Sequence, residues 1–127
     1  MDTQKVVDYW QAGAKDALDT ADKLIQVKKY HHALFFCHLA IEKALKALIV
    51  KTTGQSPLPI HDLTKLALTT NLKLTPEQTG QLNEITTFNV EARYDEYKLK
   101  FYKKATSQFA QNQFTITKNL LLWFQKL

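Results

Sequence analysis

The chain has 127 residues, of which 45% are hydrophobic and 23% charged, and these proportions exclude an intrinsically disordered protein. Its net charge is +5, yet Arg93 is the only arginine among 17 basic residues, whereas dedicated readers of phosphates or bases usually carry several. The composition therefore favours a solvated lysine-rich surface with weak attraction to polyanions over a committed nucleic-acid binder.

Apolar residues recur at three- and four-residue spacing near the start of the chain, which predicts a first helix from about Thr3 to Val27. Asp2 or Thr3 is its predicted N-cap. A polar break at Lys28–Lys29 separates this helix from the next.

The segment Tyr30–Lys51 reads as a long helix that is apolar on more than one face. A helix with one wet side shows a single apolar stripe of about 100°. This segment is therefore expected to lie at the centre of a bundle or against a second protein chain. It is predicted to end near Thr52–Gly54, with Gly54 at the position that follows a helix C-cap.

Two shorter helices are expected after the proline-containing loop Gly54–Ile60. The first runs from Leu63 to about Thr70. The second starts with Thr75 as N-cap and Pro76 at the first helical position, and it stops near residues 89–92.

The apolar spacing from Leu99 to Leu127 predicts one long final helix. The pattern of alternating β-branched residues that is typical of strands is absent from the sequence. We therefore predict an all-α fold, an up-and-down bundle of four or five helices with short inserted helices, in a single domain over residues 1–127.

Cys37 is the only cysteine and lies in the apolar second helix, so it is expected to be a buried, inert side chain in a reducing cytoplasm. The sequence shows no signal-peptide pattern, and no apolar stretch reaches the roughly 18–20 residues that a membrane span needs. We therefore expect a cytoplasmic protein without a membrane association.

Three polar residues of the second helix, His38, Glu42 and Lys46, follow each other at four-residue spacing and share one helical face. The favoured interpretation is a Glu42–Lys46 ion pair with His38 hydrogen-bonded to Glu42. A metal site formed with His31 is disfavoured, because no further residues supply the usual ligand spacing. A third interpretation is a polar groove that faces Arg93 and binds a phosphate or fixes a dimer.

The order of local sequences resembles the HEPN domain (higher eukaryotes and prokaryotes nucleotide-binding domain), over about residues 8–122. The matching pieces, in chain order, are Ala40-Ile41-Glu42-Lys43-Ala44-Leu45-Lys46-Ala47-Leu48, Gly54, Pro59, His61-Asp62-Leu63, Asn89 and Ala92-Arg93-Tyr94. The resemblance implies a compact helical bundle that forms a homodimer. It also implies a minimal nucleotidyltransferase as partner, in a toxin–antitoxin pair. No cofactor is predicted.

Many members of that family are metal-independent endoribonucleases whose motif is an arginine followed a few residues later by a histidine. Arg93 matches the arginine, but no histidine follows His61 anywhere in the chain. Because such cleavage needs a group that exchanges protons near neutral pH, the missing histidine counts against ribonuclease activity.

Arg93 has two interpretations, an ion pair with its acidic neighbours Glu91, Asp95 and Glu96, or a phosphate clamp. In the second interpretation Tyr94 and Tyr97 stack on a base and Lys98 adds positive charge. His61-Asp62 is expected to be structural, with Asp62 at a helix start and His61 bonded within the preceding loop.

The leading hypothesis is thus a nucleotide- or RNA-binding module that works with a nucleotidyltransferase. The alternatives are an endoribonuclease that uses Arg93 with His31, His38 or Tyr97 as proton carrier, and a non-catalytic protein that dimerises through its second helix. No metal site is predicted. The predicted ligand-binding residues are His38, Glu42, Lys46, Arg93, Tyr94, Tyr97 and Lys98.

Overall fold

The computed structural model describes residues 2–127, apart from the side chains of Asp95 and Glu96. These residues form six helices and no strand, which confirms the predicted all-α class. The helices are α1 (Thr3–Gln26), α2 (Tyr30–Thr53), α3 (Leu63–Leu68), α4 (Pro76–Arg93), α5 (Asp95–Lys104) and α6 (Ser107–Gln125).

The first two helices form an antiparallel pair joined by a three-residue turn. Asp2 is the N-cap of α1, and its carboxylate accepts a hydrogen bond from the backbone N–H of Lys5. At the other end, Lys28 has φ 63°, the left-handed conformation that closes a helix. The turn brings α2 back along α1, and this is the most extensive helix–helix contact in the described chain.

Helix α2 lies at the centre of the bundle. It packs against α1, α3, α4 and α6 and also touches α5. Its residues Leu34, Ile41, Leu45 and Val50 have no solvent exposure, and polar members of the helix are buried as well. These contacts confirm the expectation that a helix with more than one apolar face lies at the centre of the bundle. The helix ends as predicted, at Gly54 with φ 69°.

Cap residues fix the shorter helices. Asp62 caps α3 through the backbone N–H of Lys65, as predicted. Thr75 and Gln78 exchange side-chain and backbone hydrogen bonds at the start of α4, and Pro76 occupies the first helical position. The start of α4 therefore follows the sequence prediction, while its end extends to Arg93.

The prediction of one long final helix is wrong, because the segment is divided into α5 and α6. Ala105 leaves the helical conformation with ψ 65°, and Thr106 caps α6 by accepting a hydrogen bond from the N–H of Phe109. A threonine hydroxyl that satisfies this N–H offers the backbone an alternative to a continuous helix. Ala105 is buried at the bend, so the corner is part of the core.

None of the helices in residues 2–127 combines the length and the apolar character that crossing a bilayer demands.

Candidate functional site

A buried carboxylate on α2 is the centre of the polar cluster in this fold. Glu42 accepts a hydrogen bond from Nδ1 of His61 at 2.8 Å and another from Nζ of Lys46 at 3.2 Å. The side chain of Glu42 is 7% exposed, whereas that of His61 is 53% exposed. A charge that has left water is stable only when it is paired and hydrogen-bonded, and Glu42 has both kinds of partner.

His38 joins the same cluster from one turn earlier on α2. Its Nε2 donates to the backbone carbonyl oxygen of His61 at 2.9 Å, and it stays 3.9 Å from the nearest Glu42 oxygen. The expected direct hydrogen bond between His38 and Glu42 is therefore wrong. Spacing along α2 brings the two residues together, but the carbonyl group of the neighbouring loop is the better-placed acceptor.

The protonation states follow from these partners. Because a carbonyl oxygen can only accept, Nε2 of His38 carries a hydrogen and its buried Nδ1 has no hydrogen-bond partner among the described residues. Burial lowers the pKa of His38 below its usual value of 6.5, in spite of the neighbouring Glu42 carboxylate. His38 is thus a neutral imidazole, and its contact with Glu42 is not an ion pair.

His61 shows the opposite arrangement. Its Nδ1–H is held by the Glu42 carboxylate, which leaves Nε2 as the nitrogen that can take up a proton. A carboxylate that orients an imidazole in this way is a recurring feature of general-base sites. The expectation that the His61 side chain is bonded within the preceding loop is wrong, because the loop lies over α2 and the ring is bonded to Glu42.

Helix α1 covers the other end of the cluster. The Lys46 ammonium lies 5.4 Å from the centroid of the Trp10 ring, within the range of a cation–π contact. Lys46 therefore has an anion on one side and an aromatic face on the other. The row His38, Glu42 and Lys46 is buried between α1, α2 and the loop before α3 rather than open to solvent.

The second group of predicted site residues lies where α4 meets α5. Arg93 is the last residue of α4, Tyr94 caps both helices, and Tyr97 lies in the first turn of α5. Tyr94 is 52% and Tyr97 45% exposed, and Arg93 is exposed as well. Arg93 forms no ion pair with a described carboxylate. Its predicted pairing with Asp95 and Glu96 lies outside the described side chains.

These two groups are separate. Among the described side chains, no hydrogen bond or ion pair joins Arg93, Tyr94 or Tyr97 to the α2 row. The α2 row faces His61 and Trp10, so the interpretation of one groove facing Arg93 lacks a contact that supports it. A cation at the C-terminus of a helix interacts favourably with the helix dipole, so Arg93 also stabilises the end of α4.

Aromatic and basic side chains continue along α5. The ring of Tyr102 lies 5.2 Å from that of His31, and the His31 ring lies 4.0 Å from that of His32, tilted by 40°. Burial and the neighbouring cations lower the pKa of His31. Lys104 lies over Phe109, with 5.2 Å from its Nζ to the ring centroid. The part of α5 whose side chains are described thus presents exposed tyrosines interleaved with lysines.

Metal binding has no support from the described side chains, which contain no group of three histidine, cysteine or acidic residues placed to hold an ion. The two residues that sequence reasoning missed as partners of the α2 row are His61 and Trp10. His61 was recognised as part of the His61-Asp62-Leu63 motif. Its contact with Glu42 joins residues 19 positions apart, and helical spacing cannot predict such a contact.

Comparison with known proteins agrees with this architecture. The crystal structure of TT1696 from Thermus thermophilus superposes with a TM-score of 0.83 at 17% identity, covering 94% of this chain and 96% of that chain. None of the curated proteins matches the sequence significantly. The family model described as "HEPN domain" matches residues 7–127. The chain therefore belongs to the HEPN domain family.

Proposed function

We propose that this protein is a nucleotide- or RNA-binding module that acts with a minimal nucleotidyltransferase as a toxin–antitoxin pair. Membership of the HEPN family supports a nucleotide- or RNA-related role. The observation that carries the proposal is Arg93 beside the exposed rings of Tyr94 and Tyr97. A guanidinium binds phosphate in a bidentate manner, and tyrosine rings stack on unpaired bases.

The ligand that suits this surface is single-stranded. Stacking on an exposed tyrosine needs a base that is not already paired, and each stacked base contributes about 1–3 kcal/mol. The lysines of α5 attract the backbone without reading its sequence. The proposed site therefore consists of Arg93, Tyr94, Tyr97 and Lys98, and the α2 row has a structural role.

Fluorescence anisotropy with a labelled single-stranded RNA tests this proposal. We expect Arg93→Ala to weaken binding about tenfold and Tyr97→Ala about fivefold, while Arg93→Lys recovers only part of the loss. Lys73→Ala, which removes a charge between α3 and α4, is the matched control and should change binding by less than about twofold. Equal losses in Arg93→Ala and Lys73→Ala would contradict a defined site.

The assembly proposed here is a homodimer with the nucleotidyltransferase bound to it. Leu99 and Tyr102 on α5 are 66% and 64% exposed, and apolar side chains that protrude in this way are typical of interaction surfaces. Sedimentation equilibrium of the chain alone, and co-purification with a nucleotidyltransferase encoded beside its gene, test the two parts separately.

A second function is favoured by one specific observation, the orientation of His61 by Glu42. In metal-independent RNA cleavage, Nε2 of His61 would accept the proton of the 2′-hydroxyl while its oxygen attacks the phosphorus and the bond to the 5′-oxygen breaks. Water would protonate the leaving oxygen. Arg93 of the second copy in the proposed homodimer would hold the phosphate, since no described contact joins Arg93 to the His61 cluster within one chain. Among the proton carriers predicted from the sequence, His38 is unsuitable because it is buried away from a ligand and because burial disfavours its protonated form.

Cleavage assays separate this activity from binding alone. The second function predicts cleavage that persists in EDTA, disappears in Arg93→Ala and falls at least about a hundredfold in His61→Gln. Absence of cleavage by the unmodified protein would reject this activity and leave the binding proposal untouched.

A further inference from the structure

An apolar groove of about 140 Å³ lies between α1, α2 and α6, on residues that neither candidate site uses. Ala14 and Leu18 of α1 form one wall, Ala44 and Ala47 of α2 form the floor, and Leu121 of α6 forms the opposite wall. The groove exists because three of these five positions are alanines, which leave room that larger side chains would fill.

Its volume matches one small apolar group. An engineered cavity of about 150 Å³ lined by aliphatic and aromatic side chains binds benzene, so a space of this size takes a ring or a short alkyl chain. The groove is too small for the larger ligands that occupy pockets of roughly 300–1,000 Å³.

The charged residues around the groove are all lysines. Lys15 comes from α1, Lys51 from α2 and Lys118 from α6, and no acidic side chain lines the groove. Every ion pair found among the described side chains involves Glu42, so no described acidic side chain neutralises these three ammonium groups. Lys51 donates to the main-chain oxygen of Leu127, at 3.1 Å.

We propose that this groove is a binding site for a small amphipathic anion. The apolar part of the ligand, a ring or a short chain, fills the space between the alanines and leucines. Its carboxylate or phosphate group lies among Lys15, Lys51 and Lys118, where low-dielectric walls strengthen the attraction. The proposal extends beyond the function proposed for Arg93, since it involves a different surface of the molecule.

The lining disfavours a nucleobase. A base carries several donors and acceptors that lose free energy when they are buried without partners. Apart from the lysines, the only polar side chains that line the groove in the described part of the chain are Gln11 and Gln125. A hydrocarbon group has no such requirement, which is why the ligand class is a simple organic acid or alkyl phosphate.

Titration of the full chain followed by amide NMR shifts is the decisive experiment, with octanoate and octyl phosphate as probes. We expect both to shift amides of Leu18, Ala47 and Leu121 in a saturable manner. Octanol, with the same chain and no charge, should bind at least about fivefold more weakly. The two acids together decide whether the site prefers a carboxylate or a phosphate.

Variants separate charge from shape. Lys15→Ala/Lys118→Ala should reduce octanoate affinity about fivefold and leave octanol unchanged, whereas Lys65→Ala/Lys73→Ala, which removes the same charge elsewhere, should have no effect. Ala44→Leu should weaken both probes by filling the groove, and its unfolding midpoint would show whether the fold is intact.

Three results would overturn the proposal. One is an absence of saturable shifts, and another is equal binding of octanol and octanoate, which would make the groove apolar without selectivity for anions. The third is binding of AMP at these residues in place of octanoate, which would assign the groove to a nucleotide. None of these results bears on RNA binding at Arg93, so the two proposals succeed or fail separately.

Discussion

At the scale of single residues, the pairing of Glu42 with Lys46 and His61 is the feature on which stability depends most directly. Both members of the Glu42–Lys46 pair are buried, with side chains 7% and 9% exposed. Removal of one member of such a pair leaves the other charge without compensation, which is more harmful than removal of both.

We therefore expect Glu42→Gln to lower the free energy of unfolding by about 3 kcal/mol, because Lys46 would stay buried without its anion. The double variant Glu42→Gln/Lys46→Met should recover a large part of this loss. Urea unfolding followed by circular dichroism measures both. A loss below about 1 kcal/mol in Glu42→Gln would mean that solvent compensates Lys46 and that the pair contributes little.

His38 makes stability depend on pH. Burial lowers its pKa below 6.5 in the folded chain, whereas the unfolded chain takes up a proton on this imidazole near pH 6.5. The unfolded state then binds more protons below that pH, so the free energy of unfolding falls as the pH decreases. The slope is at most about 1.4 kcal/mol per pH unit, and it disappears below the folded pKa.

Unfolding curves between about pH 5 and pH 7.5 test this expectation. His38→Gln keeps a side-chain N–H that can donate to the carbonyl of His61 but cannot be protonated, so its curve should be flatter. An unchanged slope in His38→Gln would assign the pH dependence to other groups, of which His31 is another histidine with a lowered pKa.

At the scale of the helices, cap residues decided which boundaries could be predicted. Gly54, Thr75 and Pro76 act through local backbone chemistry, so their roles follow from sequence alone. The bend at Ala105–Thr106 was missed because buried Phe101, Ala105 and half-buried Phe109 continue the helical spacing through it. No glycine or proline marks the bend, and only the threonine cap indicates it.

The candidate site was predictable only where it depends on local sequence. The row on α2 follows from four-residue spacing, but its partners Trp10 and His61 come from distant segments, and helical periodicity carries no information about such contacts. The exposure of Tyr94 and Tyr97 likewise depends on how α5 packs, which is decided by the bend that the sequence did not reveal.

The turn between α1 and α2 holds a lysine in a left-handed backbone conformation that costs free energy. Lys28 has φ 63°, and Lys28 and Lys29 donate their backbone N–H groups to the carbonyl oxygens of Ile25 and Leu24 at 3.0 and 2.7 Å. This is the hydrogen-bond pattern of a Schellman motif, whose left-handed position favours glycine. A lysine there loses free energy because its Cβ approaches the following carbonyl oxygen.

Replacement of that residue should stabilise the protein. We expect Lys28→Gly to raise the free energy of unfolding by about 0.5–1 kcal/mol, since the relief of strain exceeds the added entropy of the unfolded chain. Lys28→Ala removes the same charge but keeps a Cβ, so it should give no such gain. Thermal unfolding of the unmodified protein and the two variants measures these differences. Equal stabilisation in both variants would mean that loss of the charge, and not relief of strain, is the cause.

At the scale of the whole molecule, the burial of α2 links the reactivity of Cys37 to global unfolding. Its thiol has no solvent exposure, and burial raises its pKa to about 12 against the smaller opposing effect of the neighbouring Thr117 hydroxyl. A thiol reagent needs both access and a thiolate, and the folded chain offers neither. Helix α2 contacts each of the other five described helices. We therefore expect that exposure of Cys37 requires much of the bundle to separate.

Labelling of Cys37 should therefore report the opening of the entire bundle. We expect the rate of reaction with an aromatic disulfide reagent to rise with urea, with a slope equal to that of equilibrium unfolding, as a globally protected site requires. Ser56→Cys, which places a thiol in the exposed loop after α2, should react at once and without dependence on urea. Rapid labelling of Cys37 in native buffer, or a slope well below the equilibrium value, would instead show that the segment around it opens while the rest of the bundle stays folded. The core would then consist of more than one cooperative unit, with the division passing through the middle of α2.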